Sequence, residues 1–221
     1  MKQFCYLILI LAVFTALSCK SKSDGKKQPA EITFDEDVAA KKINVLVDGK
    51  LFTTFQWMEN MTKPVFYPIL TSEGTEITRG FPLKPKAGER ADHPHQIGMW
   101  LTYGNVNGLD FWGNGSKGPG TRNANGGVIQ HLKTEKISEG AGEGSFVTTE
   151  SWVDTTGVEL LREVTEFHFI ARENIRIVDR KTILTTSEKE VKMPDTKEGM
   201  FGIRVARQLE LPVPGNVVLY N

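Results

Sequence analysis

The sequence predicts a mainly β chain folded as a large antiparallel β-sandwich, and three observations carry that prediction. From Ile32 onward β-prone runs recur far more often than helical patterns. Asp48-Gly49 lies between two such runs, KINVLV and KLFTTF, which is the strongest short-range hairpin signal. In the second half, long runs are joined by short polar turns, as in an antiparallel meander. There is no internal repeat and no heptad.

Taken in order, the chain opens on a secretory signal. Lys2 gives a positive start and Phe4 to Leu17 is an apolar run broken only by Thr15. At about 1.5 Å per helical residue, that run is too short to span a bilayer core of about 30 Å comfortably. Ala16-Leu17-Ser18-Cys19 then resembles a bacterial lipoprotein box. Cleavage after Ser18 would leave Cys19 as a lipidated N-terminus. Lys20 to Pro29 (KSKSDGKKQP) is polar and basic and reads as a flexible tether. The expected organisation is residues 1–18 signal peptide, 19–30 tether and 31–221 one sandwich domain. The expected location is the bacterial cell envelope, at the outer membrane, with membrane contact through the lipid anchor only.

Lys63-Pro64 opens the compact run VFYPIL, which ends at the turn Ser72-Glu73-Gly74. Asp37 to Lys42 is long enough for a helical turn and no more. Gly113 to Gly127 holds six glycines but lacks the P-loop spacing, and no helical pattern comes after it, so it reads as a mobile loop or lid. Val128–Ile137, Ser145–Val153, Val158–Ala171 and Ile175–Thr185 are the four runs of the meander. In Val158–Ala171, Arg162, Glu166 and His168 share a face with Val158, Leu160, Val164 and Ile170, and Leu161, Phe167 and Phe169 take the other. Neither face is purely polar, so that strand is expected to be covered on both sides. Gly199–Leu211 is a last clear run. Val217 to Tyr220 begins another just before the chain stops, so the sequence reads as lacking its final strands.

The composition excludes several functions. Formal net charge is zero, which argues against an electrostatic nucleic-acid binder. The only cysteines are Cys5 and Cys19, so the body beyond Cys19 has no disulfide, thiolate zinc site or cysteine nucleophile.

The chemistry concentrates in Arg79 to Trp112. His93 and His95 stand at i and i+2 around Pro94, so an extended segment projects both imidazoles to one side. They suit two hydrogen bonds to one substrate or two ligands of one divalent metal. A metal needs a third ligand, for which His131, His168, Glu166 and Asp110 are candidates. Arg79, before a Gly turn, is able to clamp a hydroxyl pair or a carboxylate, or simply bond backbone carbonyls. If the strand runs unbroken, Trp100 shares the more polar face with Gln96, Gly98 and Thr102, opposite Ile97, Met99 and Leu101. A bulge at Gly98 would break that parity. Gly98 itself leaves room for a ligand or a closely packed backbone. Trp100 and Trp112 are candidate sugar platforms or core. Glu198 and Arg204 flank Gly199–Ile203 as a carboxylate and a cation at a site rim or a solvated strand end.

Five blocks in order carry a family resemblance: KPVFYP at Lys63, TRGFP at Thr78, DHPHQIGMW at Asp92, DFW at Asp110 and EGMFGIRVA at Glu198. Together they resemble the bacterial methane oxygenase PmoA-like family, a domain family of unknown function, over Asn60 to Asn221. The resemblance implies a further histidine where this chain has Gln96, which weakens a three-histidine metal site. It also implies a longer C-terminus. Methane oxidation is physically implausible here, because no spanning helix comes after the signal. The company such proteins keep, in polysaccharide-degrading bacteria, implies carbohydrate metabolism, and the β-rich pattern looks like the galactose-mutarotase-like supersandwich. On that reading the candidate catalytic residues are His93, His95, Arg79 and His168. The candidate substrate contacts are Trp100, Asp110, Trp112, Glu198 and Arg204. The ligand is a small molecule or glycan, with no obligatory cofactor, and a metal-dependent oxygenase or hydrolase with a divalent metal at His93/His95 is the competing reading. A non-catalytic glycan-binding lipoprotein is the other alternative.

Overall fold

A computed structural model describes residues 28–187 and 190–211. The signal, Cys19, most of the tether and the run Val217–Tyr220 lie outside the described residues. The chain forms two antiparallel sheets that face each other as a β-sandwich.

The larger sheet begins with β1 (Glu31–Asp37), β2 (Lys42–Val47) and β3 (Lys50–Gln56). The β2–β3 turn is Asp48-Gly49 with φ of 50° and 71°. Positive φ at both central positions is what a two-residue hairpin turn with the twist of its strands requires. Residues 38–41, where the sequence allowed a helical turn, form a tight turn. Next come β4 (Val65–Ile69) and the three-residue β5 (Met99–Leu101). β6 (Val128–Ser138) leads to β7 (Gly140–Ala141), which pairs with β1. The meander continues through β8 (Glu143–Val153), β9 (Glu159–Arg172) and β10 (Ile175–Thr186). β11 (Phe201–Ile203) returns to pair with β5. The sheets are ordered β11-β5-β4-β3-β2-β1-β7 and β10-β9-β8-β6.

The main core lies between them. Ile43, Val45, Phe52, Phe55 and Phe66 from the large sheet meet Phe146, Phe167 and Phe169 from the small one. The aromatic rings pack edge-on or tilted, for example Phe66 with Phe167 at 4.9 Å between centroids. Such offset geometry matches the positive ring edge to the negative face.

Three expectations need correction. Gly199–Leu211 is not one strand. The strand β11 ends at Ile203, Val205 then makes only an isolated bridge to Thr78, and Arg207–Leu209 is a single 3-10 turn. β9 is covered on one side along most of its length: Leu161, Glu163, Thr165, Phe167, Phe169 and Ala171 are buried, whereas on the other face Leu160 is buried at the start and Val164 and Glu166 are exposed. The mixed outer face belongs to a sheet whose other side alone meets the large sheet. Nor is parity continuous from His93 to Trp100. Gly98 has φ 55°, and a Cβ there would collide with the Phe66 carbonyl oxygen. The glycine serves close backbone packing, and its left-handed conformation resets the facing of β5 relative to the histidine loop. Trp100 is accordingly buried with Met61, Val65, Tyr67 and Ile97 rather than standing on a polar face.

Candidate functional site

Arg79 organises the loop that carries the histidines. It is 1 % exposed. Its Nη1 donates to the carbonyls of Arg90 (3.1 Å) and Asp92 (2.8 Å) and to Asp92 Oδ1 (2.8 Å). Its Nη2 donates to the carbonyls of His93 (3.1 Å) and Gln96 (3.1 Å). Both terminal nitrogens are therefore spent on the protein, and Arg79 fixes a loop rather than clamping a substrate. Arg204 completes the arrangement from the end of β11, donating to Gln96 Oε1 at 2.9 Å and Asp92 Oδ1 at 2.7 Å. Burial opposes ionisation of Asp92, yet Arg204, His93 and Arg79 together hold its carboxyl below the usual carboxylate range. Arg204 is thus a positioning group as well, and Gln96 occupies the place of a partner to it.

The fixed loop keeps the two histidines close, but residues 93–96 form a turn and not the extended segment the i, i+2 reading assumed. Their rings are 5.8 Å apart and edge to face. They are not equivalent. His93 has φ 45°, is exposed, and sits 3.3 Å from Asp92 Oδ2. His95 turns inward, and its Nδ1 is buried with no hydrogen-bond partner. Burial holds the His95 imidazole down to about 4, and Lys63, His93, Arg79 and Arg204 push the same way. It is neutral at pH 7.

Lys63 is a candidate site residue that sequence reading missed. It is 3 % exposed, just before β4, and its Nζ lies 5.9 Å from the centroid of the Trp100 ring. Among the described residues it makes no ion pair and no side-chain hydrogen bond. Burial lowers its pKa to about 8, opposed by Asp110. Asp110 Oδ1 accepts the Gly113 N–H at 2.7 Å, so this carboxylate caps the Gly-rich loop while standing near the amine. Nothing in the local sequence separates a buried lysine from the exposed one usual at a strand start.

Two clefts meet at Met61 and Lys63, which line both. The narrow one, of about 20 Å³, is bounded by Lys63, His95, Ile97, Asn114, Gly115 and Pro119 among others. The wide one, of about 280 Å³, is bounded by Lys41, Trp57, Glu59, Arg122, Gln130 and His131 together with Met61 and Lys63. The wall between the clefts and solvent comes partly from the Gly-rich loop. That loop is tied down along its length. Asn114 is fully buried, donates to the Gly127 carbonyl at 2.7 Å and accepts the Asn123 N–H at 2.8 Å. The free lid expected from its glycines is instead a bonded wall.

The remaining candidates separate. Trp112 packs against Trp100 at 5.4 Å, so both tryptophans belong to a core cluster under the narrow cleft. His131 is in the wide cleft, 4.1 Å from the Trp57 ring, with Nδ1 3.1 Å from the buried Glu150 carboxylate and Nε2 3.2 Å from Thr134 Oγ1. Burial pushes the Glu150 carboxyl up and Glu163 adds to this, against the His131 bond. His168 lies on the outer face of β9, 3.5 Å from Glu143. It is a surface pair and shares no cleft with His93 and His95. Glu198 pairs with the neighbouring Lys197 and lines neither cleft. The four histidines therefore do not converge, and no cluster of three or more His, Cys, Asp or Glu among the described residues is placed to hold a metal ion. His131 and His168, the expected third ligands, lie elsewhere because strand register fixes them on different faces of the small sheet.

The family model that matches is DUF6807, a family of unknown function, over residues 42–219. The chain belongs to the DUF6807 family. The match corrects the sequence resemblance: nothing in it points to a methane oxygenase PmoA-like family, and the five blocks fall within the DUF6807 region. No curated protein and no solved structure matches the chain.

Proposed function

We propose that this chain binds a small carbohydrate in the wide cleft, as an exported protein lipid-anchored to the cell envelope, at the outer membrane, through Cys19. The observation that carries the binding reading is the lining of that cleft. One indole, Trp57, packed against the His131 ring, stands among Lys41, Glu59, Arg122 and Gln130, which can hydrogen-bond to a ligand, around about 280 Å³ of space. A sugar ring offers an apolar C–H face for an aromatic wall and a rim of hydroxyls for donors and acceptors. Small-ligand sites have this mix of an aromatic surface and a few convergent polar groups, and a space of this size suits a ligand smaller than a drug. Lys41 and Glu59 are held to each other at 2.7 Å, so one donor and one acceptor are prepositioned at the rim. The anchoring reading rests on the apolar run ending at Cys19, which is the one cysteine outside the signal.

Calorimetric titration with a panel of neutral and acidic monosaccharides and disaccharides tests the first part. Saturable binding that Trp57→Ala weakens at least tenfold is expected. A panel that produces no heat and no change in tryptophan fluorescence would refute it. For the anchor, Cys19→Ala is expected to move the protein from the membrane fraction to the soluble periplasm, and an unchanged distribution would refute it.

A further inference from the structure

Lys63 and His95 face the narrow cleft, which lies beside the proposed sugar site. Each has an unmet need. The Lys63 amine is almost completely buried and has no ion-pair partner among the described residues. The His95 Nδ1 is buried without a hydrogen bond. Buried charge without a counterion is costly, and buried polar atoms are normally satisfied, so two such groups on one cleft call for an explanation. The surrounding charge is lopsided. Lys63, His93, Arg79 and Arg204 all act on His95 with the same positive sign. Of the carboxylates near them, Asp92 is committed to both arginines, while Asp110, whose Oδ1 accepts the Gly113 N–H, offsets the Lys63 charge only in part and makes no ion pair with it. Met61, Val65 and Ile97 make part of the lining apolar, which strengthens any charge interaction beside it.

We propose that Lys63 and His95 form a carboxylate subsite at the narrow end of the cleft, so that the carbohydrate bound is an acidic sugar, a uronate. The inference rests on the carbohydrate reading and names its ligand class. Size agrees: the narrow cleft encloses about 20 Å³, and one water-sized group needs about 10–15 Å³. A carboxylate fits there and a sugar ring does not. Because Met61 and Lys63 line both clefts, a carboxylate on Lys63 leaves its ring in the wide cleft with Trp57. The neutral imidazole of His95, as the Nδ1–H tautomer, supplies one N–H to the second carboxylate oxygen, and Lys63 supplies the charge.

The test is calorimetry on the whole protein with glucuronate and galacturonate, their neutral counterparts glucose and galactose, and acetate alone. Wild type, Lys63→Met, Lys63→Gln and His95→Gln are compared from pH 6 to 10. A uronate is expected to bind at least about tenfold tighter than its neutral counterpart at pH 7. Both Lys63 variants are expected to erase that preference, so that uronate and neutral sugar bind alike. In wild type the uronate affinity falls as pH rises past about 8, where free Lys63 loses its proton, and neutral-sugar affinity stays level across the same range. Equal affinity for uronate and neutral sugar overturns the subsite and leaves the carbohydrate reading standing. Acetate binding as tightly as a uronate, with Trp57→Ala indifferent, overturns both. The wild-type pH profile decides the matter even where a Lys63 variant fails to fold, because a uronate affinity that does not fall past pH 8 also overturns the subsite.

Discussion

Replacing Lys63 with methionine is expected to stabilise the protein at neutral pH, which is unusual for a change at a buried position. The ammonium is removed from water before β4 and receives no ion pair in return among the described residues. Its pKa falls from the ordinary 10.5 to about 8. At about 1.4 kcal/mol per tenfold change in proton affinity, holding the charged form inside the fold costs about 3 kcal/mol. The sign comes from linkage. Between about pH 8 and 10.5 the unfolded chain binds more protons than the folded one, so folding stability rises with pH across that window. Below pH 8 the whole penalty is present. Above 10.5 it has gone. Methionine has a similar reach and no charge, so Lys63→Met is expected to be more stable than wild type by up to about 3 kcal/mol at pH 7. That advantage narrows to about 1.4 kcal/mol at pH 9.5. Urea unfolding of both proteins at the two pH values measures it, and the titration of other groups cancels in the difference. A gap that stays constant between pH 7 and 9.5, whatever its size, would refute the claim that Lys63 is charged, buried and unpaired.

The other predictions concern the loop and its support. His95 has a depressed pKa in the fold, so the unfolded chain takes up its proton first on acidification. Stability is expected to fall as pH drops from 6.5 to about 4, and His95→Gln to flatten part of that slope in denaturant titrations. Arg79→Met strips five hydrogen bonds from the 90–96 loop and leaves Asp92 with one arginine, at an expected cost of at least about 3 kcal/mol. Faster proteolysis within that loop should accompany it, and an unchanged digestion pattern would count against the loop-fixing role. Gly98→Ala combines a left-handed φ with a collision against the Phe66 carbonyl, and is expected to lose at least about 2 kcal/mol by thermal unfolding. Asn114→Ala, which unpairs the Gly127 carbonyl and the Asn123 N–H, should cost about 1–3 kcal/mol and quicken amide exchange across the Gly-rich loop.

Local chemistry explains which parts of the fold were legible. The β2–β3 hairpin can be read from Asp48-Gly49, because the backbone requirement and the residues that meet it sit at the same two positions. The meander from β6 to β10 can be read from period and turns, and its observed ends lie within a few residues of the expected ones. Gly199–Leu211 misled because apolar, β-prone residues mark a strand only where a partner edge continues, and β5 offers just three residues to pair with. His93 and His95 were found as a pair because two positions of one short loop cannot move far apart. Their difference in environment was invisible, since it depends on β4, β5 and Arg204 arriving from elsewhere.

The sequence by itself determined the β class, the hairpin, the meander and the histidine loop, because each is decided by neighbours in the chain. Only the tertiary structure decided which charged groups lost their water. Lys63 reads like any polar residue before a strand. It becomes a buried amine, without an ion pair among the described residues, because Trp100 and Ile97 come to lie beside it from a segment more than thirty residues away. Arg79 reads equally as a ligand clamp or a group bonding backbone carbonyls and becomes the second, a loop brace, because five acceptors between residues 90 and 96 fold back onto its guanidinium. Desolvation and hydrogen-bond satisfaction are properties of a residue's whole surroundings, and those surroundings come from distant parts of the chain.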